Sequence, residues 1–428
     1  MTTGTGGTGP APGGSPTGGR RALLSGVPVK RLAGFMGLPL ISAAAPFLVL
    51  PVLLRYVGTE AWAGIAIGQS LGTGVSALVL LGWPVVGPSA VAEDPDRRRA
   101  LYTRSLISRL TVFSVAAPVG VALAVLLSPA GARPEAGLMA LAMSMLGLSA
   151  TWFFVGSGHP GMIARYETVP RVAATAVAAL LVSQYAVAWL YPAVLLLSSS
   201  VLTVVVSARY WERTRLAPLH TTGQVVREQW AAAGVSVQAA LATSLPMTIL
   251  AVVAPRTVAG FAALDRITRF AVFALGPVGL AFQGWVSEPT EFPARRRRTA
   301  FVVTTAAGLV MAVGFLVFAD DLLRVLFAGR IEVSGLAVSV SAVSILCVAL
   351  STTLGFHHLV PLKMSAWMAL STGISIVVVC ISMFLLAPEF GVTGAAVSIM
   401  LAEVSVVITQ ASALALRRPS RRTTEPVG

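Results

Sequence analysis

Three ionisable residues lie where ionisable residues are expensive. Asp265, Arg266 and Arg269 fall inside the long apolar run 258–284. At about 1.5 Å per residue, Arg269 sits roughly 16 Å in from Val258, near the middle of a bilayer. Asp265 and Arg269 are four residues apart, so they share a helix face and can pair. Arg266 points elsewhere on the same turn. A guanidinium binds phosphate oxygens in a two-pronged fashion, and intramembrane charges are functional candidates by default. A phosphate-bearing ligand is therefore the chemistry this trio suggests. An alternative starts the helix at Phe270 and leaves all three charges in an outer loop. Glu403 lies midway along the last apolar run and reads either as a proton- or cation-coupling carboxylate or as a hydrogen-bonded packing acid. Arg55 ends the first run, as a residue of the cavity mouth or as a snorkelling interfacial arginine.

The other polar residues suggest less. Gln69 and Gln238 read as glue between helices. His159, His357 and His358 are expected at the inner interface; they lack the spaced partners of a metal site. Cys347 and Cys380 lie in apolar runs and read as small buried hydrophobes. No nucleotide-binding glycine loop, metal cluster or nucleophile triad is present, and no cofactor is implied.

The elements that must position these residues are membrane spans. Hydrophobic residues make up 56% of the 428-residue chain and charged residues 11%, with a mean hydropathy of +0.82. A soluble domain is nearer a quarter charged. Twelve runs are long enough to cross about 30 Å of hydrocarbon: 32–54, 61–83, 105–127, 135–155, 170–186, 190–208, 232–253, 258–284, 299–319, 333–355, 361–386 and 390–415. The basic residues between them fall in every second gap, as in Arg97-Arg98-Arg99, Arg165 and Arg171, Arg209/Arg213/Arg215 and Arg295 to Arg298. With the N-terminus inside, 24 Lys/Arg lie in cytoplasmic segments. Five lie outside (Arg55, Arg133, Arg256, Arg324 and Arg330), and Arg266 and Arg269 are left within a span. This is the positive-inside bias of a multi-pass protein of the cell (inner or plasma) membrane with both termini cytoplasmic. The net charge of +14 is spread over span ends, which suits anionic membrane lipids and argues against nucleic acid.

The expected organisation is all-α, with two six-helix bundles around a central cavity. Residues 1–31, rich in Gly, Pro and Thr, form a disordered cytoplasmic tail and not a cleaved signal. Residues 32–208 form one bundle, 209–231 a cytoplasmic linker, 232–416 the second bundle and 417–428 a basic tail. Val225, Val226 and Trp230 at helical spacing suggest a short helix on the inner membrane surface. Asp94-Pro95-Asp96 is expected to cap the third helix. Pro39, Pro46 and Pro51 in the first span and Pro246 in the seventh predict bends. Residues 320–332 are expected as the longest outer loop. A faint repeat relates the openings of the second and eighth spans: Ala61-Trp62-Ala63-Gly64-Ile65-Ala66 and Thr257-Val258-Ala259-Gly260-Phe261-Ala262, 196 residues apart. Half-to-half duplication of this kind is typical of secondary transporters.

Several segments together carry a resemblance. Leu53-Leu54-Arg55-Tyr56-Val57-Gly58-Thr59-Glu60 with Gly64, Trp152-Phe153-Phe154-Val155-Gly156 with Arg165 and Arg171, and Gly260-Phe261-Ala262-Ala263 through Arg266-Ile267 to Pro277 are three of them. Leu326-Phe327-Ala328-Gly329 and Pro388-Glu389-Phe390-Gly391-Val392-Thr393-Gly394-Ala395-Ala396 with Glu403 complete the set. In order and placement over residues 30–416 the chain resembles the polysaccharide flippase branch of the multidrug/oligosaccharidyl-lipid/polysaccharide exporter superfamily. Ala328 and Leu264-Asp265 depart from that branch's usual pattern.

The resemblance implies transport and not catalysis: a polyprenyl-pyrophosphate-linked oligosaccharide moved from the inner to the outer leaflet for cell-surface polysaccharide assembly. A polysaccharide polymerase or glycosyltransferases would then be its partners. Unaided crossing is forbidden, because each unpaired hydroxyl costs about 4–8 kcal/mol to move from water into hydrocarbon. Three alternatives stand beside it. One is a cation-coupled multidrug antiporter of the same superfamily. Another is a major-facilitator transporter, whose usual glycine is missing between Asp94 and Arg99. The third is a membrane glycan polymerase, which would need a longer outer loop.

Overall fold

A computed structural model describes Phe47 and residues 49–213, 217–287 and 292–416. Much of the first expected span, including Pro39 and Pro46, lies outside these residues, as do Arg215 and the two tails. The described chain is helical throughout, with no strand among the described residues. Its main helices are α1 Leu50–Tyr56, α2 Thr59–Val79, α3 Trp83–Glu93, α4 Arg98–Leu127, α5 Arg133–Ser144, α6 Thr151–Gly156, α7 Pro160–Ile163, α8 Val169–Tyr185, α9 Leu190–Tyr210, α10 Pro218–Glu228, α11 Trp230–Val253, α12 Val258–Ser287, α13 Pro293–Leu326, α14 Gly335–Thr352 and α15 Ala366–Ala415. Eight helices are long and apolar enough to cross a membrane, where α5 and α6 count as one broken helix and α15 counts once. With 17 residues, α8 falls short of the roughly 20 a span needs.

Several boundaries move. The fourth expected span is broken: after α5 the chain tightens to a 3-10 turn, Met145–Leu148, and turns extended at Ser149 before α6. The third helix starts at Arg98, seven residues before its apolar run. Asp94 serves that start through its side chain, which accepts the Arg97 N–H at 3.2 Å. Residues 320–326 are helical, because α13 continues past Asp320 and Asp321 to Leu326; the outer loop is correspondingly short. Pro51 sits in the first turn of α1, where a proline has no intrahelical N–H to lose and causes no bend. The fifth and sixth runs are separate helices, α8 and α9, parted by Ala186 in the left-handed conformation.

The first half is built around α2. Lipid tails are as apolar as leucine, so helices in a membrane associate by close packing and not by the hydrophobic effect. Gly64, Gly68 and Gly72 form a stripe at four-residue spacing, and it lies on Ala132, Ala136 and Ala140 at the same spacing. A Cβ on Gly68 would come within 2.2 Å of the Ala136 carbonyl oxygen. With α4, α11 and α12 also packed on α2, residues 61–68 are buried on every side. The opposite flank of α2 meets α11: Ser70 donates to the Thr243 carbonyl at 3.2 Å, and the Gly82 N–H donates to Ser236 Oγ at 2.9 Å.

In the second half, α13 packs between α12 and α14, and α14, α11 and α12 pack on α15. Gly391 takes φ 56° and ψ −130° within α15, a backbone shape that residues with side chains avoid. The chain reverses there, and the Leu386 carbonyl oxygen comes within 2.1 Å of a Cβ built on Gly394. Residues 366–390 and 392–415 are thus the two arms of a hairpin. Gln238 donates to the Ala369 carbonyl at 2.8 Å and joins α11 to this hairpin. His357, expected at the interface, is fully buried between the Thr353 hydroxyl and the Gly279 carbonyl, each at 3.0 Å.

The linker contains the short helix expected from its spacing, α10. Val225 packs into the first half, whereas Leu219 and Val226 are exposed. Trp230 is also exposed but begins α11.

Candidate functional site

The eighth run is one helix from Val258 onwards, so Asp265, Arg266 and Arg269 are helical residues and not loop residues. The helix does not start at Phe270, as the alternative had it. Arg269 Nε donates to Asp265 Oδ2 at 2.6 Å, the pairing that four-residue spacing allows. Arg266 turns the other way, toward the first half. Its Nη2 donates to Gln69 Oε1 at 2.6 Å, and its guanidinium lies 5.7 Å from the Trp62 ring centroid. Trp62 in turn donates to the Ala259 carbonyl at 3.1 Å. The sequence separation is 197 in both cross-half contacts. The two copies of the faint repeat therefore lie side by side, in parallel, across the junction of the halves.

Two cavities meet at these arginines. The larger, ≈ 350 Å³, lies mostly in the first half, and Arg171, Arg266, Arg269, Gln69, Glu167 and Tyr191 are among its walls. The smaller, ≈ 170 Å³, lies between α2, α11 and α12; Asp265, Arg266 and Arg269 line it with Trp62 and Pro246. Half the Arg269 side chain is accessible (52%), against 19% for Asp265, so the guanidinium is presented and the carboxylate is tucked behind it. Arg171, on the first turn of α8, adds a third cation. The large cavity thus faces a ligand with three guanidiniums and the Glu167 carboxylate.

Glu403 and Arg55 fare differently. Glu403 lies on the 392–415 arm, within electrostatic reach of Arg269 but outside both cavity walls. Arg55 is exposed in the last turn of α1, and its side chain lines neither cavity. What the structure uses there is its backbone: the Arg55 carbonyl accepts from Arg330 Nη2 at 3.3 Å. With the T-shaped Trp62–Phe327 pair, ring centroids 5.7 Å apart, this contact ties the two halves together at that end.

Sequence reasoning missed a second polar cluster. The charge tally puts Arg109 with the loop residues, yet it is fully buried inside α4. Its Nη1 donates to the Ser149 carbonyl at 2.7 Å and the Gly147 carbonyl at 3.2 Å, and its guanidinium lies over the Trp152 ring. Those carbonyls are the ones the break between α5 and α6 leaves without helical partners. At membrane depth such groups must be satisfied by protein, and Arg109 does so. Beside it, the Glu167 carboxylate accepts from the Ser149 and Thr151 hydroxyls. The signal for Arg109 was present: it lies four residues inside the run 105–127, as exceptional there as Arg266 is in its own run. Glu167 had no such signal, because it sits between runs.

No family model and no curated protein sequence matches the chain. Solved structures do. The chain is similar to the inward-facing conformation of a multidrug resistance MATE family transporter of the MOP superfamily, with a TM-score of 0.67 and 12% identity over 87% of this chain and 94% of that one. It is similar to the lipid II flippase MurJ in an inward closed conformation, with a TM-score of 0.64 and 12% identity over 89% and 87%. It is also similar to a mutant of the Vibrio cholerae MATE transporter VcmN, with a TM-score of 0.52 and 14% identity over 91% and 97%.

Proposed function

We propose that the chain, whose fold is similar to that of solved transporters and not of enzymes, moves a polyprenyl-pyrophosphate-linked oligosaccharide from the inner to the outer leaflet. The observation that carries this reading is the charge of the large cavity: three guanidiniums, Arg171, Arg266 and Arg269, against one carboxylate, Glu167. A pyrophosphate suits such a wall, since guanidinium–phosphate hydrogen bonds are charge-assisted and geometrically matched. Even with Arg269 paired to Asp265 the cations outnumber the carboxylates, which disfavours an organic cation.

In this proposal the chain crosses the membrane twelve times in two six-helix bundles, with both termini cytoplasmic, in the inner or plasma membrane. The arginine alternation and the helix order support that arrangement. The head group would sit in the cavity while the polyprenyl tail stays in lipid. Rocking of the halves about the α2–α11–α12 junction would expose the cavity to each side in turn. Glu403 would serve as the coupling carboxylate through its field at Arg269. A polymerase or glycosyltransferases would supply and consume the cargo.

A binding comparison tests the substrate class. The purified chain in lipid nanodiscs is titrated with farnesyl pyrophosphate and, separately, with tetraphenylphosphonium. The proposal expects saturable binding of the pyrophosphate, weakened as salt is raised, and no competition by the cation. Saturable binding of the cation alone would favour the multidrug antiporter.

A further inference from the structure

We propose that Glu167, with Ser149 and Thr151, forms a carbohydrate subsite in the same cavity, which takes the first sugar of the cargo while the arginines hold its pyrophosphate. This rests on the flippase reading and adds to it a position and a chemistry for the sugar.

The argument starts from the break between α5 and α6. A helix broken at membrane depth loses backbone hydrogen bonds and persists only where protein or a cavity satisfies them. Arg109, which does not line the cavity, takes up the freed carbonyls of Gly147 and Ser149. The break is thus built in, and it carries the Ser149 and Thr151 side chains out of helical register so that both hydroxyls reach one carboxylate. Glu167 comes to them from a π-helical turn, Ala164–Thr168, of the kind often found at functional sites.

The carboxylate is held but not filled. Ser149 donates to Oε1 and Thr151 to Oε2. An ionised carboxylate has about four lone-pair positions, so one on each oxygen remains for a ligand. Two acceptors side by side on a fixed carboxylate suit a pair of neighbouring hydroxyls. Tyr166 and Phe154, stacked at 23° with centroids 5.8 Å apart, line the same cavity and offer an apolar flank for a sugar ring. Arg171 stands one helical turn from Glu167, and Arg109 lies behind it within electrostatic reach. A cationic ligand at Glu167 would meet that positive field, whereas a neutral polyol would not.

The test compares three ligands on the full chain in nanodiscs: farnesyl pyrophosphate, and the same lipid carrying glucose or N-acetylglucosamine. At least one sugar-bearing lipid is expected to bind roughly tenfold more tightly than the bare one, the scale of a hydrogen bond to a charged group. Glu167→Gln should remove most of that advantage. Its affinity for bare farnesyl pyrophosphate is measured alongside, so that a loss confined to the sugar-bearing lipids is separated from a general one. If Glu167→Gln does not purify as a monodisperse protein, the double variant S149A/T151A, which removes the two hydroxyls that fix the carboxylate's orientation, carries the same comparison. Equal binding of all three ligands by the native chain would overturn the subsite, and so would an equal loss for bare and sugar-bearing lipids in the variants. If the native chain binds no farnesyl pyrophosphate, or Arg266→Gln binds it as well as the native chain does, the flippase reading itself fails.

Discussion

Replacing both Arg266 and Arg269 by glutamine is expected to reduce transport of a pyrophosphate-linked lipid by more than a hundredfold while the helices stay folded. Both guanidiniums line the large cavity, and both lie on α12, where the two cavities meet. A hydrogen bond to a charged group contributes about 1.5–3 kcal/mol, so losing two costs roughly 3–6 kcal/mol of ligand binding. The two single variants should differ. Arg269→Gln also strips Asp265 of its 2.6 Å partner and leaves a largely buried carboxylate unpaired, which is costly. The pair D265N/R269Q removes that charge as well. It should therefore melt closer to the native chain than Arg269→Gln does and still fail to transport. Arg266→Gln breaks the 2.6 Å bond to Gln69 without orphaning a charge, because Gln69 is neutral. Initial rates of lipid transfer in proteoliposomes, with a thermal melt of each variant, separate the two effects. Near-native transport by the double glutamine variant would remove these arginines from the mechanism.

The second large effect is on assembly. Gly68→Val should lower the melting temperature by roughly 5–10 °C or prevent folding altogether. Overpacking of a tight contact costs about 1–3 kcal/mol and sometimes more, and each kcal/mol shifts the midpoint by about 2–4 °C in a domain of 150–250 residues. The obstacle is backbone, the Ala136 carbonyl oxygen at 2.2 Å from the added Cβ. Trimming the neighbour with Ala136→Gly should therefore not rescue it. The same substitution at Gly223, where nothing lies within 4 Å, should leave the midpoint unchanged. Circular-dichroism melts in detergent check all three. A native-like Gly68→Val midpoint would mean that α2 and α5 are not in the contact described.

These two effects mark what the sequence makes legible. The arginine alternation is legible because the inner-facing bias acts on loop charges whatever the packing. The same reasoning singles out Asp265, Arg266 and Arg269, which lie in a helix that runs unbroken from Val258. The stripe Gly64, Gly68, Gly72 is also written in the sequence, with Ala132, Ala136 and Ala140 to receive it, but nothing local says that these two stripes meet.

The break at Ser149 is harder. Residues 145–150 read Met-Leu-Gly-Leu-Ser-Ala, without proline or charge, so hydropathy carries straight through them. Backbone geometry there is decided by Arg109, forty residues earlier. A tally that assigns arginines to loops hides the residue that makes the break possible. Arg55, exposed at the end of α1 as an interfacial arginine would be, meets the second half through its carbonyl.

The central claim is that the cavity carries a pyrophosphate-linked glycan across the bilayer. Proteoliposomes holding the purified chain, loaded with a fluorescent polyprenyl-pyrophosphate-linked sugar, test it most directly. A membrane-impermeant enzyme that cleaves the sugar is added outside, and the protected fraction is followed with time. The native protein should convert a stable protected pool of about half the lipid into a pool that falls toward zero, and the Arg266/Arg269 double glutamine variant should leave it protected. A pool that stays at about half with the native chain, or one that falls equally with the variant, would contradict it.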